Sequence, residues 1–163
     1  MLDDSTVTAG DIMTTDVAVA HPETPLLSAV RVMVQRRISG MPVVDDAGAI
    51  VGMLSEGDLV RWHEGLGEKQ INRLNMLADG YELAKEFLDV VEAEHNKVRA
   101  AMAQGAITVT ESTPAREIAT LMHKQHIKRV PVLRDGAIVG IVARSDLVAA
   151  LYRKLSETRG SAS

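Results

Sequence analysis

The string Gly48-Ala49-Ile50-Val51-Gly52 returns letter for letter as Gly136-Ala137-Ile138-Val139-Gly140. A repeated unit restricts a chain more than any single motif, because what one copy folds into the other must also fold into. The repeat extends well past five residues. Ile38-Ser39-Gly40-Met41-Pro42-Val43-Val44 is answered by Ile127-Lys128-Arg129-Val130-Pro131-Val132-Leu133, and Asp58-Leu59-Val60 by Asp146-Leu147-Val148. Met13, Thr24-Pro25 and Met33 match Met102, Thr113-Pro114 and Met122 at a spacing of 89. One deletion, Asp135-Gly136 against Asp46-Ala47-Gly48, shortens the spacing to 88 from there on. Shared hydrophobic patterning alone does not produce such a colinear set.

Each copy predicts the order β-α-β-β-α. A short extended piece (Val17 to Ala20; Ile107 to Thr110) leads to Thr-Pro, with threonine as N-cap and proline at the first helical position, where a missing N–H costs nothing. Leu26, Val30, Met33 and Val34 recur at helical spacing, as do Ile118, Leu121 and Met122. An apolar strand follows (Met41 to Val44; Val130 to Leu133) with its proline near the start. An Asp- and Gly-rich turn then joins it to a second strand (Ile50 to Leu54; Ile138 to Val142). A final helix begins near Glu56 or Arg144. The organisation is one repeat over 8–61, a helical insertion over 62–97, a second repeat over 98–152 and a flexible tail over 153–163.

The insertion carries eight acids against four bases, a difference equal in size to the whole chain's net charge of -4. Asp79 with Glu82 reads as a helix start, and Leu83, Phe87, Val90 and Val91 as an apolar stripe; a structural connector is expected. Negative net charge argues against a nucleic-acid binder, since neutralising phosphate dominates such binding. Four dispersed aromatics (Trp62, Tyr81, Phe87 and Tyr152) make no stacking platform. No apolar run approaches the roughly 20 residues a membrane helix needs. Met1-Leu2-Asp3-Asp4 lacks the basic start of a signal peptide, and cysteine is absent. The expectation is a cytoplasmic protein with no membrane partner.

Catalytic signals are thin. His123-x-x-His126 has no recognisable third metal ligand and is expected on an exposed helical face. No Gly-x-Ser-x-Gly, phosphate-loop or dinucleotide fingerprint occurs. The informative motif is Ser55-Glu56-Gly57-Asp58, which by itself reads as a capping box with an acid favoured by the helix dipole. Its counterpart Ala143-Arg144-Ser145-Asp146 loses the hydroxyl but keeps the aspartate. That retention leaves room for a separate role of Asp58 and Asp146, although the dipole also accounts for it.

Taken together, these elements, over roughly 8–61 and 98–152, resemble the paired CBS domains of a stand-alone bacterial-type Bateman module. The resemblance implies an α/β fold of tandem CBS domains packed as a pseudo-two-fold pair, with clefts for adenosine-containing ligands between the copies. One cleft would use Ser55 and Asp58 for ribose, Ile107 and Ile127 for adenine, and Lys128 and Arg129 for phosphate. The other would use Asp146 for ribose, Ala18, Ile38, Ser39 and Gly40 for adenine, and Arg144 for phosphate. The first keeps the hydroxyl and two cations, so it is expected to be the better site. The implied function is non-catalytic: a module with AMP, ADP, ATP, NAD or S-adenosylmethionine as regulatory ligand, a homodimer acting on an unknown protein target. An interaction module with vestigial clefts is the alternative.

Overall fold

The computed structural model describes residues 7–64 and 96–161. The expected helix start at Asp79 and the stripe from Leu83 to Val91 lie outside them. Two compact units are present: Ala18–Gly105, and Met1–Val17 together with Ala106–Ser163. They cut across the linear boundaries 8–61 and 98–152, because each unit includes the short helix that opens the other copy.

The described elements of the first-copy unit are α2 (Leu26–Arg36), β1 (Gly40–Val44), β2 (Ile50–Ser55), α3 (Glu56–Glu64), α4 (Val98–Ala101) and β3 (Ala103–Gln104). The other unit holds α1 (Ala9–Ile12), β4 (Val109–Thr110), α5 (Ala115–Gln125), β5 (Arg129–Arg134), β6 (Ala137–Ala143) and α6 (Arg144–Gly160). Each unit thus places helices beside a small sheet, β1-β2-β3 in one and β4-β5-β6 in the other.

The exchanged helices dock by the same bonds. In one unit Leu26 N–H donates to the Asn96 carbonyl (3.0 Å) and Val98 N–H to that of Thr24 (2.9 Å); in the other, Ala115 donates to Val7 (2.9 Å) and Ala9 to Thr113 (2.8 Å). Val98 and Ala9 are fully buried there. Val98 joins a core of Leu26, Met33, Met41, Val43 and Leu54, while Ala9 and Ile12 join Ile118, Met122, Val130, Val132 and Val142. Full burial of the valine, leucine, isoleucine and methionine side chains among them stabilises by about 1.5–3 kcal/mol each.

The deletion separating the copies is a change of hairpin. In the second copy the strands pair through Arg134↔Ala137, leaving a two-residue loop of Asp135 (φ 51°) and Gly136 (φ 81°). Two consecutive positive φ values make this a type I′ turn, the one matched to strand twist. The first copy closes instead with Asp45 N–H on the Ala49 carbonyl (2.9 Å), and the Asp45 carboxylate accepts from the Ala47 and Ala49 N–H groups. One extra residue turns a two-residue loop into a three-residue one ending on Gly48 (φ 83°).

Three expectations change. Threonine is not the helix cap: Pro25 and Pro114 occupy the cap positions, and the hydroxyls of Thr24 and Thr113 accept from His21 and Thr110 N–H (3.0 and 3.1 Å), closing the preceding turn. Strands β1 and β5 begin one residue earlier than expected, which makes Pro42 and Pro131 the third residue of each. A strand residue's N and O point to the same side, and on that side of Pro42 the neighbour Ala20 uses only the Pro42 carbonyl (3.0 Å). The missing N–H therefore breaks no ladder bond, and the parallel pairing described in the first copy is the Ala20↔Val43 bridge. Finally, 153–160 is not a tail but the continuation of α6, which meets no proline and no glycine before Gly160.

Candidate functional site

The helix start at Ser55 is a complete capping box. Asp58 Oδ2 accepts from the Ser55 N–H and Ser55 hydroxyl, both at 2.9 Å, and Asp58 N–H donates to Ser55 Oγ (3.2 Å). The hydroxyl that the sequence offers to a ligand is thus engaged with the adjacent carboxylate. Among the described residues Asp58 is also the buried charged side chain, 6% exposed. Its other oxygen, Oδ1, accepts from the guanidinium of Arg61, one turn along the same helix. A carboxylate offers about four acceptor positions; two on Oδ2 and one on Oδ1 are filled.

The second copy keeps half of this. Asp146 Oδ2 accepts from Ala143 N–H at 2.7 Å, which gives the retained aspartate a structural task independent of any ligand. Its side of the helix carries Ala149 where the first copy has Arg61. Asp146 is half-buried, and its carboxylate is less committed than that of Asp58.

Within each unit the box is stitched to the pre-proline residues of the same copy. Glu56 N–H donates to the Ser39 carbonyl (3.0 Å) and Gly40 lies opposite Ser55 in the β1–β2 ladder. Likewise Arg144 N–H donates to the Lys128 carbonyl (3.0 Å), and Arg129 lies opposite Ala143. So Ser39, Gly40, Ser55, Asp58 and Arg61 form one constellation, and Lys128, Arg129, Arg144 and Asp146 the other. Ile38 and Ser39 also line an open depression of about 410 Å³ in the first-copy unit. Val30, Met33, Val34 and Leu59 make its wall apolar, and Arg37 and Glu56 add charge. Ala18 lies two residues before the Ala20 bridge, and Ile107, 37% exposed, two residues before β4. Ile127 is half-buried against the second-copy core, and Lys128 is exposed.

Arg61 was not among the residues singled out from the sequence. Its signal was there: an acid and a base three apart on a helix share a face. His123 lies in the last turn of α5, and His126 is its cap in the left-handed region (φ 53°). No group of three metal-ligating side chains occurs among the described residues.

The CBS domain model matches residues 9–65 and 98–153. The chain belongs to the CBS domain family. Among its CBS relatives is the uncharacterised protein MJ1426 of Methanocaldococcus jannaschii, 33% identical over 150 residues that span 86% of this chain and 89% of that one. The chloroplastic CBS domain-containing protein CBSX2 of Arabidopsis thaliana is 29% identical over 161 residues, 94% of this chain and 67% of that one. The crystal structure of the CBSX2 pair superposes with a TM-score of 0.70 at 25% identity, covering 91% and 96% of the two chains. A CBSX2 structure in complex with AMP gives 0.67 at 26% identity, covering 90% and 97%. Both CBS relatives are stand-alone proteins. No helix among the described residues is long and apolar enough to cross a membrane.

Proposed function

We propose that the chain is a non-catalytic regulatory module that binds an adenosine-containing ligand, with AMP the first candidate, and signals by a change of conformation or partner. The observation that carries this reading is the setting of Asp58, a buried carboxylate at a helix start; Ile38 and Ser39, assigned to the other cleft, line a depression with an apolar wall. A short carboxylate suits the two adjacent hydroxyls of a ribose, and an apolar wall suits a base. The AMP complex of CBSX2 supports the same ligand class. Ser55 positions Asp58, while Lys128, Arg129 and Arg144 supply cations for phosphate; Ile107, Ile127 and Ala18 complete the adenine surfaces, and Asp146 is the second ribose acceptor. A ligand shifts a conformational equilibrium only through different affinities for the two states, so the output requires contacts that change with shape.

Calorimetry with AMP, ADP, ATP, NAD and S-adenosylmethionine tests this, run beside Asp58→Asn and Arg129→Ala. The reading expects saturable binding of at least one compound, weakened tenfold or more by either substitution. Saturable binding of none would leave the interaction-module alternative, which Ala143 in place of the hydroxyl favours. Retained affinity in Asp58→Asn would remove Asp58 from the site.

The same reading includes a homodimer. Val148, Leu151, Tyr152 and Leu155 recur at helical spacing on α6 and are 50% to 71% exposed, an apolar stripe of the kind that subunit contacts cover. Sedimentation of wild type and Leu151→Asp checks it: a dimer that becomes monomeric supports the stripe, and a monomeric wild type rejects it.

A further inference from the structure

We infer that Arg61 is a built-in occupant of the Asp58 carboxylate, and that its displacement selects phosphate-bearing adenosine compounds over neutral nucleosides. This rests on the ligand reading above. The Asp58 side chain is 7% exposed while that of Arg61 is 70% exposed, so one partner is fixed in the fold and the other is free to swing. The Arg61 guanidinium lies over the box itself: a Cβ placed on Gly57 would meet its Nη1 at 3.5 Å and Ser55 Oγ at 3.7 Å. Oδ2 is filled by Ser55, so a ribose diol must take its acceptors from Oδ1, where Arg61 already donates.

The exchange has a defined balance. Displacing Arg61 breaks a charge-assisted bond, roughly twice as strong as a neutral one, and replaces it with hydroxyl donors. A neutral nucleoside offers the released guanidinium nothing in return. A nucleotide brings a phosphate, the group for which a planar guanidinium is the natural partner. Arg61 therefore moves from one anion to another when the ligand is anionic and loses its anion when the ligand is neutral. The second copy has Ala149 at this position, so Asp146 carries no such discrimination.

The test compares AMP with adenosine by calorimetry on wild type, Arg61→Met, Arg61→Lys and the double variant Arg61→Met/Asp58→Asn. Methionine retains helix propensity at an exposed site, so folding is preserved. The expected result is a fall of tenfold or more in the AMP-to-adenosine affinity ratio for Arg61→Met, partial recovery in Arg61→Lys, and adenosine binding that is tighter in Arg61→Met than in wild type but not in the double variant, where there is no carboxylate to free. An unchanged ratio, or equal weakening of both ligands, overturns the role of Arg61 while the ligand reading stands. Wild type that binds neither compound overturns the role of Arg61, and the ligand reading falls with it when ADP, ATP, NAD and S-adenosylmethionine also fail to bind.

Discussion

A Cβ built on Gly52 would lie 2.3 Å from the carbonyl oxygen of Ala103, a backbone atom of the exchanged segment. The repeated Gly-Ala-Ile-Val-Gly thus ends on glycine because another strand passes directly over it: Gly52 pairs with Gln104 and Met53 with Ala103. At the equivalent Gly140 the obstacle is the Met13 side chain, with Sδ at 2.4 Å. A thioether can rotate away, whereas a paired backbone cannot. Gly52→Ala should cost about 3 kcal/mol and Gly140→Ala about 1 kcal/mol, the two ends of the usual overpacking range. Denaturant unfolding of both variants measures this, and Gly140→Ala should cost less in a Met13→Ala background, where only the Cβ of residue 13, at 3.0 Å, remains close. Equal losses at the two glycines would contradict the distinction.

Much of this fold could be read from the repeat, since comparing copies separates scaffold from variation. The hairpins, the two later helices and the apolar strands follow from local chemistry: Asp135-Gly136 demands a tight turn, and helical spacing of Leu26, Val30 and Met33 demands one buried face. What escaped is long-range. Nothing local says that Ala9 and Ile12 pack with Ile118 and Met122, or that Val98 packs with Leu26. The Thr-Pro cap failed because two turns compete for one hydroxyl, and the upstream N–H of His21 or Thr110 won it. At the candidate site the Ser55–Asp58 pair was legible as a box, but the contact from Arg61 depends on a rotamer, which sequence does not specify.

The two boxes differ by one oxygen, which makes a reciprocal exchange informative. Ser55 Oγ accepts from Asp58 N–H, and Ala143 has no such acceptor. Ser55→Ala should destabilise by about 1 kcal/mol, the usual loss of an N-cap hydroxyl, and Ala143→Ser should stabilise by a similar amount. Midpoints of chemical unfolding read both signs. Loss of stability in Ala143→Ser would show that the second helix start does not admit a first-copy geometry.

Helices α2 and α5 both end on a non-glycine residue in the left-handed region, Arg37 at φ 54° and His126 at φ 53°. Each still donates its N–H back into the last turn, Arg37 to Val34 and His126 to His123 (3.3 and 3.4 Å). Glycine occupies that conformation without a Cβ clash and is the preferred residue there. His126→Gly should therefore raise stability by about 0.5–1 kcal/mol, less the entropy that glycine adds to the unfolded chain. A thermal midpoint at or below wild type would mean that the imidazole contributes more than its backbone costs.

Arg134 grips Glu111 through two bonds, Nε to Oε2 at 2.8 Å and Nη2 to Oε1 at 2.5 Å. Those hydrogen bonds hold the Glu111 carboxyl below its ordinary range; desolvation opposes them and the guanidinium's charge adds to them. Thr8 does the same for Asp11, chiefly through its backbone N–H. A carboxyl with a lower pKa folded than unfolded leaves the unfolded chain binding more protons in acid. The contribution is thus complete above the unfolded value, about 4.3 for glutamate, and is lost as pH falls through the lower folded value. Arg134 shifts upward from a value already far above neutrality and does not titrate in this window. Glu111→Gln should accordingly be less stable than wild type at pH 7, with the gap closing as pH falls below the ordinary glutamate value. The same gap should shrink with added salt, because the pair is largely exposed. Parallel unfolding curves for wild type and variant across the acid limb would show that the pair contributes nothing; convergence only on the acid side is the expected signature.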